Sequence, residues 1–488
     1  MKSVPKRRIQ KAHDAPVNPK GAFILYWMIA NRRSGWNYAL DHAVDWAREL
    51  DKPLVILEAL RSGYDWASDR LHRFILEGMR VHAKHFKNRP VTYYPYVEPE
   101  GGAGKGLIEA LAKEACVVVT DDFPAFFLPR MVAAVAPKLP VLMEQVDANG
   151  LLPMRTADRV FPTAYAFRRF LHKHLPHHLV EKPRADPLKR SGLKTLRSLP
   201  GKITKRWPRA NDRMLKGETA FLNALPIDHR VGIAPISGGS AEAKRVLQTF
   251  LEDRLPRYAE DRNQPEREAT SGLSPYLHFG HISVHEVFHE LIGYEDWFFD
   301  RLSSRADGRR SGWWGMDQAA EAFLDELITW RELGFNMCWQ RQDYERYASL
   351  PDWARATLAQ HEGDRRPYLY TPTQFEQAET HDPLWNAAQV QLLREGRIHN
   401  YLRMLWGKKI LHWSPNPRQA LDIMVHLNNQ YALDGRDPNS YSGIFWVLGR
   451  YDRAWGPERP VFGKIRYMSS KNTARKVRVK NYIETYAP

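Results

Sequence analysis

Between residues 21 and 146 short apolar runs alternate with stretches in which apolar residues recur every three or four positions. FILYWMI, PLVILEAL, VTYYPYV, CVVVT and PVLMEQV have the length and the β-branched and aromatic content of buried strands. The stretches near Trp36 to Leu50, Asp69 to Phe86, Lys105 to Glu114 and Pro129 to Pro137 carry helical periodicity. Strand and helix in alternation predict a doubly wound parallel sheet, which receives ligands beyond the carboxyl ends of its strands. A candidate crevice therefore lies near Ala30 to Trp36 and Thr120 to Phe123.

The pattern changes twice further on. Prolines and basic residues gather in EKPRADPLKRSGLKTLRSLPGKITKRWPR, as expected of a long surface connection. From Ser240 the pattern is mostly helical, with segments from about Pro383 to Glu395 and His399 to His412 separated by Gly396. The expected organisation is a basic tail (1–20), an α/β Rossmann-like domain (21–148), a connection (149–239) and an all-helical domain (240–488).

Trp406 and Trp413 are seven apart, on one helix face and ~10 Å apart along the axis, and Trp385 can pack on them from the preceding helix. Aromatics at helical spacing ordinarily build core. They also suit a path of oxidisable rings leading to a buried redox cofactor. The second reading gains from the polar residues crowded into the same stretch, Asn400, Arg403, Lys408, Lys409, Asn428, Asn429, Asp434 and Arg436, which a plain core does not need.

The formal charge of +16 and pI near 9.6 point to an anionic partner. Nucleic acid comes ahead of membrane, because no basic amphipathic helix and no apolar run of about 20 residues stands out. Cys116 and Cys338 fit a reducing, cytoplasmic setting. MKSVPKRRIQK followed by AFILYWMIA imitates a signal peptide, but Asn31, Arg32 and Arg33 follow with no cleavage site, so the run reads as a first buried strand. Histidines at 172, 174, 177 and 178 have no carboxylate or cysteine partner, and no metal site is expected. EGGAGKG departs from the phosphate-loop template and reads as a flexible loop.

Two smaller patterns carry chemistry. Glu326 and Trp330 are four apart and share a helix face, so a carboxyl and a flat ring can look into one cavity. Thr270, Ser271, Gly272 and Ser274 form either a helix-capping turn before Pro275 or a hydroxyl-bearing anion loop.

NYLRMLWGKKILHW, LDGRDPN, DRAWG and GKIRYMS, in that order, resemble the C-terminal signature of class II cyclobutane pyrimidine dimer photolyases, flavin enzymes that use light to split ultraviolet-damaged DNA bases. TSGLSPYLHFG is similar to the flavin-diphosphate loop of the wider photolyase and cryptochrome superfamily. The resemblance covers nearly all of residues 240 to 488 and is weaker over the N-terminal half.

The resemblance implies FAD held by Tyr258, Thr270, Ser271, Gly272, Leu273, Ser274, Arg403, Asn428 and Asp434, with Asn428 facing the flavin N5 and Arg403–Asp434 as an ion pair beside the ring system. An antenna chromophore of deazaflavin or folate type can join it in the N-terminal domain. Glu326 matches the glutamate that hydrogen-bonds the damaged base, Asn400 and Met404 face the dimer, and Trp330 and Trp446 flank it. Trp406 is the indole nearest the flavin, with Trp385 and then Trp413 outward. Arg453 and Trp455 would fill the hole left in the duplex, and Lys408, Lys409 and the basic tail around Lys471 to Lys480 are candidate phosphate contacts. The implied partner is DNA containing pyrimidine dimers, with no membrane association, and the chain is expected to be a monomer.

The chain departs from the class II pattern at Leu405, where tyrosine is usual, at Gly407, where alanine is common, and at His412, where glutamate is common. A cryptochrome-like photoreceptor without repair activity, a repair enzyme for the (6-4) lesion and a plain nucleotide-binding module stand as rivals. The first is disfavoured by the short tail after the last motif. The second is disfavoured by Asn400, which occupies a place where those enzymes are expected to carry histidine, although His399 is adjacent.

Overall fold

The computed structural model describes residues 4–488, which divide into two compact units. The first comprises Met1–Thr156, His174–Gln248 and Leu273–Gly293, and the second Ala157–Lys173, Thr249–Gly272 and Tyr294–Pro488.

The first unit is built on a six-stranded sheet of order β1-β6-β5-β2-β3-β4. Strands β2 (Phe23–Met28), β3 (Leu54–Leu60), β4 (Thr92–Val97), β5 (Ala115–Asp121) and β6 (Met143–Val146) run parallel, and helices Tyr38–Glu49, Asp69–Phe86, Leu107–Ala112 and Leu128–Val135 fall where periodicity predicts them. Every residue of β2 and β5 is buried, as continuous apolar runs require when a strand is covered on both faces. Residues 4–20 are not simply a tail. Ile9–His13 forms β1, antiparallel to β6, so FILYWM is the second strand of the chain. IQKAH lacks a hydrophobic alternation because it is a partly exposed edge, where charged residues discourage further pairing.

The crevice expected where the strand order reverses is internally satisfied. Asp121 Oδ2 accepts the backbone N–H groups of Ile29, Ala30 and Asn31 at 2.8, 2.7 and 2.9 Å, and its Oδ1 accepts the Tyr26 hydroxyl at 2.7 Å. The glycine loop at 100–106 is likewise pinned: Glu98 Oε1 accepts from Gly102 N and Gly104 N at 3.1 and 3.0 Å. A carboxylate of the chain itself thus takes the backbone donors that a phosphate would need.

Residues 149–239 are divided between the units and are tied down by buried side chains, among them Phe167, Leu171, Leu188, Trp207 and Leu222. Arg168 forms a bidentate pair with Asp325 at 2.8 and 3.1 Å inside the second unit. Trp207 donates to the Ala103 carbonyl at 2.9 Å inside the first.

The second unit is helical, and several of its helices begin alike. Asp382, Asn416 and Asp437 each accept a backbone N–H in the first turn and are each followed by proline, opening helices Pro383–Glu395, Pro417–Tyr431 and Pro438–Val447. An Asx N-cap satisfies an orphan donor, and proline at the first position loses no hydrogen bond. Gly396, at φ 72°, ends the first of these, and Asn400–Trp413 follows. Gly407 is where that helix meets Pro438–Val447: a Cβ there would lie 2.5 Å from Val447 Cγ2. The alanine common at this position would force β-branched Val447 to move.

Candidate active site

Glu326 and Trp330 lie in Asp325–Trp330, a π-helical segment between helices Gln318–Leu324 and Arg331–Gln340. Such widened turns concentrate at functional sites, and this one departs from the regular α-helix the sequence suggests. Glu326 Oε1 accepts from Arg262 Nη1 at 3.2 Å, and the same nitrogen reaches the Ala322 carbonyl. Burial pushes the Glu326 carboxyl up from its ordinary value, Arg262 opposes the shift and neighbouring Asp325 adds to it. The side chain is still 37% exposed, so solvent tempers all three effects. Tyr258 is buried edge-on between Phe250 and Phe323, and Arg262 sits 5.5 Å above its ring.

Trp330 and Trp446 come together from separate helices, but against each other. Their rings stack at 4.8 Å with 24° between planes, which leaves no room for another ring between them. Asn400, at the start of its helix, is exposed, and Met404 one turn on is half-buried.

A second cluster joins the Asn400–Trp413 and Pro417–Tyr431 helices to the loop at 432–437. Arg403 Nη2 donates to both oxygens of Asp434, at 2.8 and 2.9 Å. Asn428 Nδ2 donates to Ser440 Oγ at 2.7 Å and to Asn429 Oδ1 at 3.3 Å, which fixes the amide plane; its own Oδ1 accepts no hydrogen bond among the described residues. Arg436, buried and at φ 67°, binds the backbone carbonyls of Asn429, Ala432 and Leu433 and so holds Asp434 in place. Gly435 passes so close that a Cβ would lie 2.6 Å from the Asn428 carbonyl oxygen.

The three tryptophans form a connected, fully enclosed series. Trp406 Nε1 donates to Gln389 Oε1 at 2.9 Å, Trp385 Nε1 donates to the Trp406 carbonyl at 3.0 Å, and the Trp385 and Trp413 rings meet edge-to-face at 6.1 Å. Thr270, Ser271, Gly272, Leu273 and Ser274 form the turn into helix Ser274–His278, with Gly272 at φ 71° and the Thr270 carbonyl held by Arg254.

The basic residues separate. Arg453 is exposed and lies 4.8 Å above the half-buried Trp455 ring, over which Arg466 also sits at 5.2 Å. Lys408 must be withdrawn from the candidate phosphate contacts. It is fully buried, its Nζ donates to the Val447 carbonyl at 2.5 Å, and burial pulls its pKa down to about 7. Lys409 is 8% exposed and spent on Asp382 and on the face of Trp413. A KK pair on an amphipathic helix reads as surface; this helix is enclosed on nearly all sides. Reading single residues also missed Arg262, Gln389 and Arg466. The first two were within reach, since Arg262 follows Tyr258 and Gln389 follows Trp385 by one helical turn.

No protein-family model matches the chain. Curated relatives do, along the full length. The chain is 33% identical over 482 residues to the deoxyribodipyrimidine photo-lyase of Methanothermobacter thermautotrophicus, covering 98% of this chain and 97% of that one. It is 33% identical over 485 residues to that of Arabidopsis thaliana (98% and 91%) and 30% identical over 502 residues to that of Potorous tridactylus (99% and 85%). A class III photolyase from Agrobacterium tumefaciens superposes with a TM-score of 0.66 over 96% of this chain and 86% of its own at 16% identity, a likeness of fold. An α/β unit on a six-stranded sheet, a helical unit with these clusters and relatives matched from end to end agree: the chain belongs to the deoxyribodipyrimidine photo-lyase family, within the photolyase and cryptochrome superfamily.

Proposed function

We propose that this chain is a class II photolyase that repairs cyclobutane pyrimidine dimers in DNA by light-driven electron transfer from FAD. The observation that carries the reading is the cluster of Asn428, fixed by Ser440, and the Arg403–Asp434 ion pair, with Arg403 on the helix that also bears Trp406. Its donor set suits a flavin. The open acceptor of Asn428 matches a ring N–H, and guanidinium and carboxylate offer charge to a flat polar ring system. Thr270 and Ser271 beside positive-φ Gly272 bring hydroxyls and backbone to a diphosphate. Bound there, FAD in its reduced form would supply the light-excited electron donor.

The chain's own residues do the rest. Glu326, its pKa raised, keeps a proton to higher pH than an ordinary glutamate and donates it in a hydrogen bond to the carbonyl of the damaged base as charge arrives there. A flipped dimer enters by parting Trp330 from Trp446. The indole pair forfeits about 0.5–1.5 kcal/mol of stacking, whereas each base stacked on an aromatic returns about 1–3 kcal/mol, so the exchange favours the lesion. Trp413, Trp385 and Trp406 pass electrons inward to restore the reduced state. Arg453 and Trp455 fill the space the dimer leaves.

The test is direct. Protein loaded with FAD and illuminated with blue light should restore dimer-containing DNA and leave (6-4) lesions untouched. Unchanged dimers in a yellow, photoreducible preparation would favour a photoreceptor, and a colourless preparation a nucleotide-binding module. For the DNA contacts, Arg453→Ala should weaken binding and reduce the slope of log affinity against log salt by about 1. Lys408→Met should leave that slope unchanged, as a salt series of binding titrations would show.

A further inference from the structure

Between Phe299–Arg301 and helix Gln318–Leu324 the second unit carries LSSRADGRRSGWWGMD, a stretch at 302–317 without helix or strand. Connections of this length are usually functional. This one is nevertheless fixed in place. Buried Glu321 accepts the backbone N–H groups of Gly312, Gly315 and Met316, the last two at 2.9 and 3.4 Å. Ser303 N donates to the Trp313 carbonyl at 2.8 Å, and the buried Trp313 ring stacks on His172 with centroids 4.2 Å apart. His172 Nδ1 in turn accepts the Gly308 N–H at 3.2 Å. On this ordered loop Arg309 is occupied by Asp307 at 2.6 Å. Arg305 and Arg310 are exposed, and neither guanidinium has a hydrogen bond or ion pair among the described residues.

The loop is tied to the segment that carries Glu326. Arg168 Nη1 donates to the Gly308 carbonyl at 3.2 Å, while its Nε and Nη2 hold the Asp325 carboxylate at 2.8 and 3.1 Å. One guanidinium thus joins the middle of the loop to the residue immediately before Glu326. We propose that Arg305 and Arg310 bind phosphates of the lesion-bearing DNA strand beside the flipped dimer. This role rests on the repair reading above and adds to it a contact separate from Arg453 and Trp455.

Three features favour this partner and this strand. A guanidinium without a carboxylate has its forked donors open, and that fork matches two phosphate oxygens. Arg309, by contrast, would first have to leave Asp307. Second, the charge of Arg310 reaches the carboxyl that the repair reading turns toward the damaged base: burial pushes the Glu326 pKa up, and Arg310 is among the cations that oppose the shift. A cation felt by Glu326 lies on the side where the flipped base, and with it the backbone of its own strand, arrives. Third, the loop is already ordered and its crest is open. A Cβ at Gly312, at φ 76°, would meet nothing within 4 Å, so a sugar-phosphate chain can approach the backbone there. Because Glu321, Trp313 and His172 hold the loop before DNA arrives, little ordering entropy remains to oppose the contact.

The experiment measures binding of the full chain to an oligonucleotide carrying one dimer, in the dark, by fluorescence anisotropy over a salt series. Arg305→Ala and Arg310→Ala should each reduce the slope of log affinity against log salt by about 0.9 on duplex and about 0.7 on single-stranded DNA. Arg309→Ala removes the same unit of charge and should leave the slope nearly unchanged. An equal loss in Arg309→Ala would mean that the loop acts only through its overall charge, which overturns the proposal. Single methylphosphonates, which neutralise one phosphate at a time, then locate the contact. Neutralising a phosphate next to the dimer on its own strand should weaken binding by the native chain and cost nothing further in Arg310→Ala or Arg305→Ala. Additive losses at every position on that strand, or coupling confined to the complementary strand, overturn the proposal. A native chain that binds with these couplings yet restores no dimers in blue light refutes the repair reading alone. A chain that repairs dimers while both variants bind as the native does refutes the loop contact alone.

Discussion

Trp406→Phe is expected to slow photoreduction of the oxidised cofactor at least about tenfold, the change that about 1.4 kcal/mol of added barrier produces, while enzyme reduced chemically beforehand keeps most of its repair rate. Phenylalanine fills most of the same space but is a far poorer electron donor than indole. The substitution also removes the 2.9 Å bond from Nε1 to Gln389 Oε1 and leaves a buried acceptor unpaired, at a cost of about 1–3 kcal/mol in stability. Two readouts on one preparation separate these effects: the rate of photoreduction followed by absorbance, and dimer repair after dithionite reduction. A fall confined to photoreduction marks Trp406 as a relay. Equal loss of both would mean that the ring holds the pocket together and carries no electron.

The difference between a relay and a core is also where sequence and structure part company. Helix Pro383–Glu395 is legible from its apolar periodicity, whereas Pro417–Tyr431 and Pro438–Val447 are anticipated only as part of a mostly helical stretch, although all three open on an Asx-Pro start, a local signal with a local cause. The strands of the parallel sheet are legible because covering both faces demands unbroken apolar runs. β1 is not, since its edge position removes the apolar requirement that would reveal it. Residue spacing brings Trp385, Trp406 and Trp413 together on facing helices, but nothing local tells Lys408 that Val447 and its neighbours will close over it. Trp330 and Trp446 are more than a hundred residues apart in sequence, and their face-to-face contact is a property of the packed helices.

Glu326 carries the other large expectation. Glu326→Ala should lower the repair rate of chemically reduced enzyme by about 10²–10³, the usual cost of losing one donor aimed at developing negative charge. Glu326→Gln should lose less, because an amide N–H can still donate. The pH dependence discriminates further. Burial raises the folded-state pKa of this carboxyl above its ordinary 4.5, so the donor proton is present below the raised value and lost as pH climbs through it. Repair by the native chain should decline along that limb, and Glu326→Gln, which has no proton to lose, should be flat. The same sign applies to stability, since the protonated form is the one the fold prefers: the contribution is complete at low pH and disappears as pH rises past the folded-state pKa. Arg262 pulls in the opposite direction through its 3.2 Å contact. Arg262→Ala should therefore move the limb to higher pH without removing it, a displacement that a purely structural arginine would not produce. A pH–rate profile of the three variants with pre-reduced cofactor settles the assignment. A native profile as flat as that of Glu326→Gln would show that the carboxyl is ionised throughout and stabilises the site by some other means.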